Sequence, residues 1–423
     1  MEMERKYKIN RLQTTNDIRP MVTEHWANLR TAKERGEMVA WASAPSFIFA
    51  YAMGMKCHFM AGYASYCGGI GAAEEVLKVA EETGDLPDTC SYHRLHMGMG
   101  EAVARGIPIN PYAILPMPDL MIAGRLCPEM SHYAEGLHRR FDVRVLPIDL
   151  PFVTDKKDLP RAREFVYRQY KELVIPTFEE VCGRPFDYDR MSEILSVLKK
   201  VATLRNECWE FFKDIPSRWT LWDYGVSIAP VFYMMGNPVG ITYYEKLLKE
   251  LQERREKNIP AVAPDGEKYR LYWDGWLPWA FLGKFMRKFI PNGAICLCGR
   301  YPWEFFPHPE LIDPEHPVEC WTDLYYGQES HLVYSFSPHG TVDLIGELIE
   351  DYSLDGLVMF SSKTCRAMNI AQLDVVDAIE KKYGVPGVII EGDMVDPAMI
   401  SDSQIETRLQ ALFEMIDGRR KRK

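Results

Sequence analysis

Ten cysteines in 423 residues are the side chains of this chain best suited to chemistry. They are too few for a disulfide scaffold at this length, yet more than an ordinary cytosolic chain has reason to carry, so metal ligation and thiol reactivity come into view. Three stand in contexts that suit ligation. Cys127 and Cys365 each close a short apolar run (PDLMIAGRLC and DGLVMFSSKTC) and precede a helical stretch. Cys90 opens the segment CSYHRLHMGMGEAVARG, where a loop enters a helix. Helix N-termini favour thiolates, and open α/β sheets bind ligands beyond the carboxyl ends of their strands. Three thiolates from separate loops fit a zinc site one ligand short, or an iron–sulfur cubane with one open iron. None of the three has a CxxC partner, so spacing alone equally allows three thiols with no common role.

Other residues compete for attention. Cys296 and Cys298 in GAICLCGRYP share one face of a strand and, with Cys320 and His308, suggest a second metal site, against which stands simple packing. Cys57, Cys67, Cys182 and Cys208 lie in apolar or helical contexts and read as core or incidental thiols. Proton-transfer candidates are His93, Arg94 and His96 close behind Cys90, and Asp274, Glu391 and Asp393 at expected strand ends. The histidines suit surface or capping roles equally well, and Glu391 and Asp393 suit caps of the turn around Pro397. Trp273, Trp276, Trp279, Trp303 and Trp321 crowd one third of the sequence, as core or as the wall of a pocket for a flat substrate.

The elements that must position these residues are read from short apolar runs alternating with longer charged helical stretches, the pattern of parallel sheets covered by helices. Strands are expected at 46–52, 120–123, 143–148, 269–273, 293–297, 356–360 and 387–390. Helices are expected at 158–174, 188–213 and 243–257. The fold class is therefore α/β, with two related parallel-sheet domains of flavodoxin or Rossmann-like type joined by a helical region. Residues 1–40 form a helical lead-in, 41–155 the first α/β domain, 156–260 the helical linker and 261–423 the second α/β domain. Both halves run strand, cysteine, helix, strand, carboxylate, from PDLMIAGRLC to VRVLPIDLPF and from DGLVMFSSKTC to VPGVIIEGDMVDP. This order suggests an internal duplication.

Composition narrows the function classes. At 47% hydrophobic and 26% charged residues the chain is globular. A net charge of −10 argues against nucleic-acid binding, and the terminal GRRKRK reads as a solvated tail. The start MEMERKYKIN lacks the apolar core of a signal peptide, which points to a reducing cytoplasm. The uncharged stretch 224–244 is interrupted by Gly225, Pro230, Gly236, Pro238 and Gly240 and reads as a buried loop or pocket wall, so no membrane insertion is expected. GxxxxGK[ST], GxGxxG, HExxH and GxSxG motifs are missing, so ATP hydrolysis and nicotinamide hydride transfer are not expected of this chain.

Several blocks resemble one known family. AEETGDLPDTCSY around Cys90, PDLMIAGRLC with FDVRVLPIDLPF, YRLYWDGWLPW, and SSKTCRAMNIAQLDVVDAIEKKYGVPGVIIEGDMVDP with SQIETRLQALFEM look like the 2-hydroxyacyl-CoA dehydratase and benzoyl-CoA reductase family, over residues 41–415. The resemblance implies that Cys90, Cys127 and Cys365 each bind one iron of a [4Fe–4S] cluster in the cleft between the two α/β domains. It implies an acyl-CoA substrate, a related second subunit or a second copy of the chain, and a separate ATP-hydrolysing activator that supplies a low-potential electron. The expected chemistry is one-electron reduction of the thioester to a ketyl radical anion. The CSY context of Cys90 looks more like the benzoyl-CoA reductase subunits, whereas SHYAEGLHRR after Cys127 departs from both branches. The alternatives are a subunit of a (R)-2-hydroxyacyl-CoA dehydratase that eliminates water to an enoyl-CoA, a double-cubane-type low-potential reductase, and a non-catalytic electron-relay subunit.

Overall fold

The computed structural model describes residues 7–43, 46–232, 234–301, 308–328 and 333–422. Its strands in chain order are β1 (Lys8–Ile9), β2 (Val39–Ala42), β3 (Lys56–Phe59), β4 (Leu120–Arg125), β5 (Val145–Asp149), β6 (Val262–Ala263), β7 (Tyr269–Asp274), β8 (Ala294–Cys298), β9 (Gly356–Ser362) and β10 (Gly387–Gly392). Two four-stranded sheets dominate, in the orders β3-β2-β4-β5 and β10-β9-β7-β8, with every neighbouring pair parallel. Numbered within its own half, each sheet reads 2-1-3-4, the flavodoxin-like order. The expected duplication is thus a duplication of topology: β4 and β9 are the third strands of equivalent halves.

Strand composition follows from this layering. Helices cover both faces of a parallel sheet, so its strands read as continuous apolar runs, as β4, β7 and β9 do, each almost wholly buried. The same reason explains one misreading. Residues 46–52 were expected to form a strand, but Phe47–Ala52 is a helix, because a short run buried on all sides carries no periodicity to separate the two. The lead-in is also more than a helix. Ile18–Arg30 is helical, but β1 pairs antiparallel with β6, and β2, at a boundary placed two residues too late, is an inner strand of the first sheet. Between β5 and β6 no strand occurs among the described residues, and the helices Leu159–Gln169, Tyr188–Trp209 and Val239–Glu256 fill that span. Of the uncharged stretch at 224–244, the described residues form short buried helices and the start of Val239–Glu256. No helix among the described residues is long and apolar enough to cross a membrane.

The helix Ser91–Arg105 connects the core to the site. It lies so close to Ala73–Glu82 that a β-carbon on Gly98 would stand 2.1 Å from the Val76 carbonyl oxygen. Replacing Gly98 with alanine therefore forces these helices apart. The expected cost is about 1–3 kcal/mol of stability, read as a lowered denaturation midpoint against wild type.

Candidate active site

Each of the three singled-out cysteines is the N-cap of a helix: Cys90 of Ser91–Arg105, Cys127 of Pro128–Phe141 and Cys365 of Arg366–Asn369. Cys127 and Cys365 follow β4 and β9, the equivalent third strands, and Cys90 enters from the connection between β3 and β4. All three line one cavity of about 130 Å³ at the carboxyl ends of the strands, with Trp276 and Met394 contributed by the second half. The two sheets thus turn their strand ends toward a shared space, as the position beyond matched strand ends anticipates.

The thiols are partly open to the cavity yet deep within the fold. Burial is the main influence on each and pushes the thiol pKa up: well above the ordinary value for Cys90, to about 11 for Cys365, and upward for Cys127. Proximity adds to it, since Cys90 feels both Cys365 and Cys127, and Cys365 feels Cys127. Backbone N–H groups oppose the effect, those of His93 and Tyr92 at Cys90, Met130 and Glu129 at Cys127, and Met368 at Cys365. These are the free donors of a helix's first turn, aimed at sulfur. The indole Nε1–H of Trp276 also donates to Cys365 Sγ at 3.2 Å. Trp276 reaches that position because Gly275, at φ +91°, turns the chain where a β-carbon would meet the Phe360 carbonyl oxygen at 2.4 Å.

The remaining lining is mostly apolar, with Phe59, Met60, Met130 and Tyr133 among it. Glu129 is the charged exception, and His93 Nδ1 lies 2.6 Å from its carboxylate. The hydrogen bond from His93 is the largest influence on Glu129 and holds its pKa below the usual carboxylate value. Sequence reasoning found His93 but missed Glu129, whose signal was its place two residues behind a ligand-like cysteine.

The other expected site residues separate. Asp393 is fully buried and accepts hydrogen bonds from Ser362, Thr364 and the N–H groups of Val395 and Asp396. Thr364 Oγ1 in turn accepts from Ser91 N–H at 3.2 Å, so Asp393 braces the loops of Cys90 and Cys365 and does not face the cavity. Glu391 points outward to Lys363 at 3.5 Å and is not part of the site. Arg94 and Asp274 are buried in ion pairs, with Asp396 at 2.7 Å and Arg300 at 2.9 Å respectively. Cys296 and Cys298 are fully buried in β8, and Cys320 accepts the Asp313 N–H at 3.1 Å, while His308 pairs with Glu310 at 3.5 Å. These four make no shared metal site; the CxC pair is core. Trp273 and Trp321 are core as well, Trp279 donates to the Tyr92 hydroxyl at 2.7 Å, and Trp303 lies outside the described residues.

Comparison with known proteins agrees with this architecture. Residues 44–416 match the family described as 2-hydroxyglutaryl-CoA dehydratase, D-component. The chain is 30% identical to a benzoyl-CoA reductase subunit of Thauera aromatica over 353 residues, 81% of this chain and 79% of that protein. It is 27% identical to the alpha subunit of lactoyl-CoA dehydratase of Anaerotignum propionicum over 402 residues, 92% of this chain and 93% of that one. With the (R)-2-hydroxyisocaproyl-CoA dehydratase alpha subunit of Clostridioides difficile it shares 21% identity over 96% of each chain. A match over nearly the whole of both halves, and relatives from both branches, place the chain in the 2-hydroxyacyl-CoA dehydratase and benzoyl-CoA reductase family of enzyme subunits.

Proposed function

We propose that the chain is the catalytic subunit of a radical acyl-CoA enzyme of benzoyl-CoA reductase type, holding a [4Fe–4S] cluster through Cys90, Cys127 and Cys365. The observation that carries this reading is the meeting of three helix-capping thiols from both halves in one cavity. Three thiolates from separate loops suit a cubane, whose ligands bind separate irons at separate corners. Three thiols leave one iron free of protein ligands. Such a cluster supplies a low-potential electron and a Lewis-acidic iron.

The chain's own residues supply the setting. Backbone N–H groups and the Trp276 indole stabilise negative charge on the ligand sulfurs. Phe59, Met60, Met130 and Met394 keep water from a radical anion that water would protonate. His93, held by the Glu129 carboxylate, is the polar group placed to hold a proton beside the reacting acyl group. A related second subunit and an ATP-dependent activator complete the system. The relatives' names as subunits support the first, and the lack of a nucleotide motif supports the second.

A second reading, a (R)-2-hydroxyacyl-CoA dehydratase subunit, is favoured by the near-complete overlap with three dehydratase alpha subunits. Anaerobic reconstitution with iron and sulfide, followed by turnover with benzoyl-CoA and with (R)-lactoyl-CoA in the presence of partner subunit, activator and ATP, separates the two. A colourless, iron-free protein that stays folded defeats both.

Hydrogen bonds to ligand sulfurs raise the reduction potential of such clusters. Replacing Trp276 with phenylalanine should therefore lower the midpoint potential measured by redox titration, with iron content unchanged.

A further inference from the structure

Three residues in the wall of the thiol cavity carry hydroxyls: Ser43, Tyr92 and Tyr133. Two of these hydroxyls are engaged by the fold. Ser43 Oγ receives the Gly124 N–H and donates to the Ile122 carbonyl, and the Tyr92 hydroxyl accepts the Trp279 indole N–H at 2.7 Å. Tyr133 differs: no donor or acceptor among the described residues pairs with its hydroxyl, although the residue is 0% exposed.

Local structure sets where that hydroxyl stands. Tyr133 lies in the second turn of Pro128–Phe141, the helix that Cys127 caps. Its ring packs against two imidazoles of Ser91–Arg105, with centroids 5.3 Å from His93 and 5.4 Å from His96. Close packing of this kind holds a ring in one place and its hydroxyl with it. Burial first, and then Cys90, push the hydroxyl pKa well above its ordinary value. Tyr133 therefore keeps its hydrogen and is a neutral donor within electrostatic reach of Cys90. Buried hydroxyls almost always have a partner, and one that the fold leaves unpaired at a cavity wall is paired by what the cavity holds.

A CoA thioester in this cavity would bring one strong acceptor near the reacting centre, its carbonyl oxygen. That atom gains negative charge when the acyl group takes up an electron, so a hydrogen bond to it strengthens as the radical anion forms. A donor already aimed where charge develops needs no reorganisation, and apolar neighbours such as Phe59, Met60 and Met130 make its effect larger than in water.

We propose that the Tyr133 hydroxyl donates a hydrogen bond to the carbonyl oxygen of the acyl-CoA thioester, and that this bond tightens on the radical anion. Tyr133 is then a catalytic residue that stabilises charge, while His93 holds the proton. No covalent bond is made or broken at Tyr133, which keeps its hydrogen throughout. The assignment rests on the proposed function, because it needs a thioester in the cavity.

The test reads the carbonyl directly. In the reconstituted complex without activator, where nothing turns over, the probe is benzoyl-CoA labelled with ¹³C at the carbonyl, or labelled (R)-lactoyl-CoA where only that thioester binds. Its infrared C=O stretch should rise in frequency on Tyr133→Phe, because a lost hydrogen bond stiffens the C=O bond. S-benzyl-CoA, the thioether without that oxygen, should bind wild type and variant equally. With activator and ATP, kcat should fall roughly a hundredfold. Iron content and denaturation midpoint should stay at their wild-type values, since removing an unpaired hydroxyl breaks no bond in the fold. An unshifted band in a folded variant overturns the assignment and leaves water as the partner of the hydroxyl. Should Tyr133→Phe fail to fold, 3-fluorotyrosine at position 133 keeps the shape, donates more strongly and should lower the band; no movement there overturns the assignment equally. If wild type binds neither thioester, the proposed function fails and takes the assignment with it, whereas binding with an unshifted band defeats the assignment alone.

Discussion

Cys365→Ala, purified without oxygen, should contain almost no iron or acid-labile sulfide, show no cluster EPR signal and have no turnover. Two protein ligands do not hold a cubane that three would anchor, and Cys365 is the cysteine that the second half brings to the cavity. The loss should be chemical and not structural. Its thiol is partly open to the cavity, so the apo variant is expected to unfold within about 1 kcal/mol of apo wild type. Cys296→Ala is the control with the opposite signature. That thiol is fully buried in β8, so its removal leaves a void costing about 1–2 kcal/mol while iron content stays at the wild-type value. Raised thiol pKa values add a further expectation. Because burial raises the thiol pKa values, binding a cluster through thiolates should release protons, measurable as acidification of an unbuffered solution during reconstitution. Full iron content in Cys365→Ala would reject the ligand assignment.

How much of this was legible in the sequence differs residue by residue. Cys127 and Cys365 could be paired because a cysteine just past a strand end is a positional signal, and the matching 2-1-3-4 sheets show why the positions correspond. Cys90 had only a helix start behind it, and its neighbourhood with the others depends on long-range packing. The short strands β2 and β3 were missed because four-residue runs within a long apolar stretch carry no periodicity of their own. Glu391 and Asp393 show a different limit. Residues two apart share a face only while the strand lasts, and β10 ends at Gly392, so one carboxylate faces solvent and the other turns inward. The contacts Trp276 to Cys365 and Glu129 to His93 link residues 89 and 36 positions apart, pairings that no local pattern encodes.

Arg94→Met should be the most destabilising single change at the junction of the halves, lowering unfolding stability by about 3–5 kcal/mol in chemical denaturation. Arg94 is fully buried in the first turn of the Cys90 helix, and its guanidinium donates to the Thr89 carbonyl, Glu81 and Asp396. Asp396 belongs to the second half and is itself 5% exposed, so removing the cation leaves a buried carboxylate whose charge is offset only in part, by the Ala398 N–H on its other oxygen. Glu81 is different: its side chain is 38% exposed, and Glu81→Gln should cost less than about 1 kcal/mol because solvent screens that pair. The contrast separates a buried bridge from a surface one on the same arginine. Removing both buried charges in Arg94→Met/Asp396→Leu should recover part of the loss, though not all, because Asp396 also caps the turn at Ala398 with a 2.9 Å hydrogen bond. Function should follow stability here. The bridge ties the helix of Cys90 to the loop carrying Met394 into the cavity, so Arg94→Met should release iron to a chelator faster than wild type even where it remains folded. Equal release rates would mean that the two halves keep their ligand geometry through the Ser91–Thr364–Asp393 contact alone.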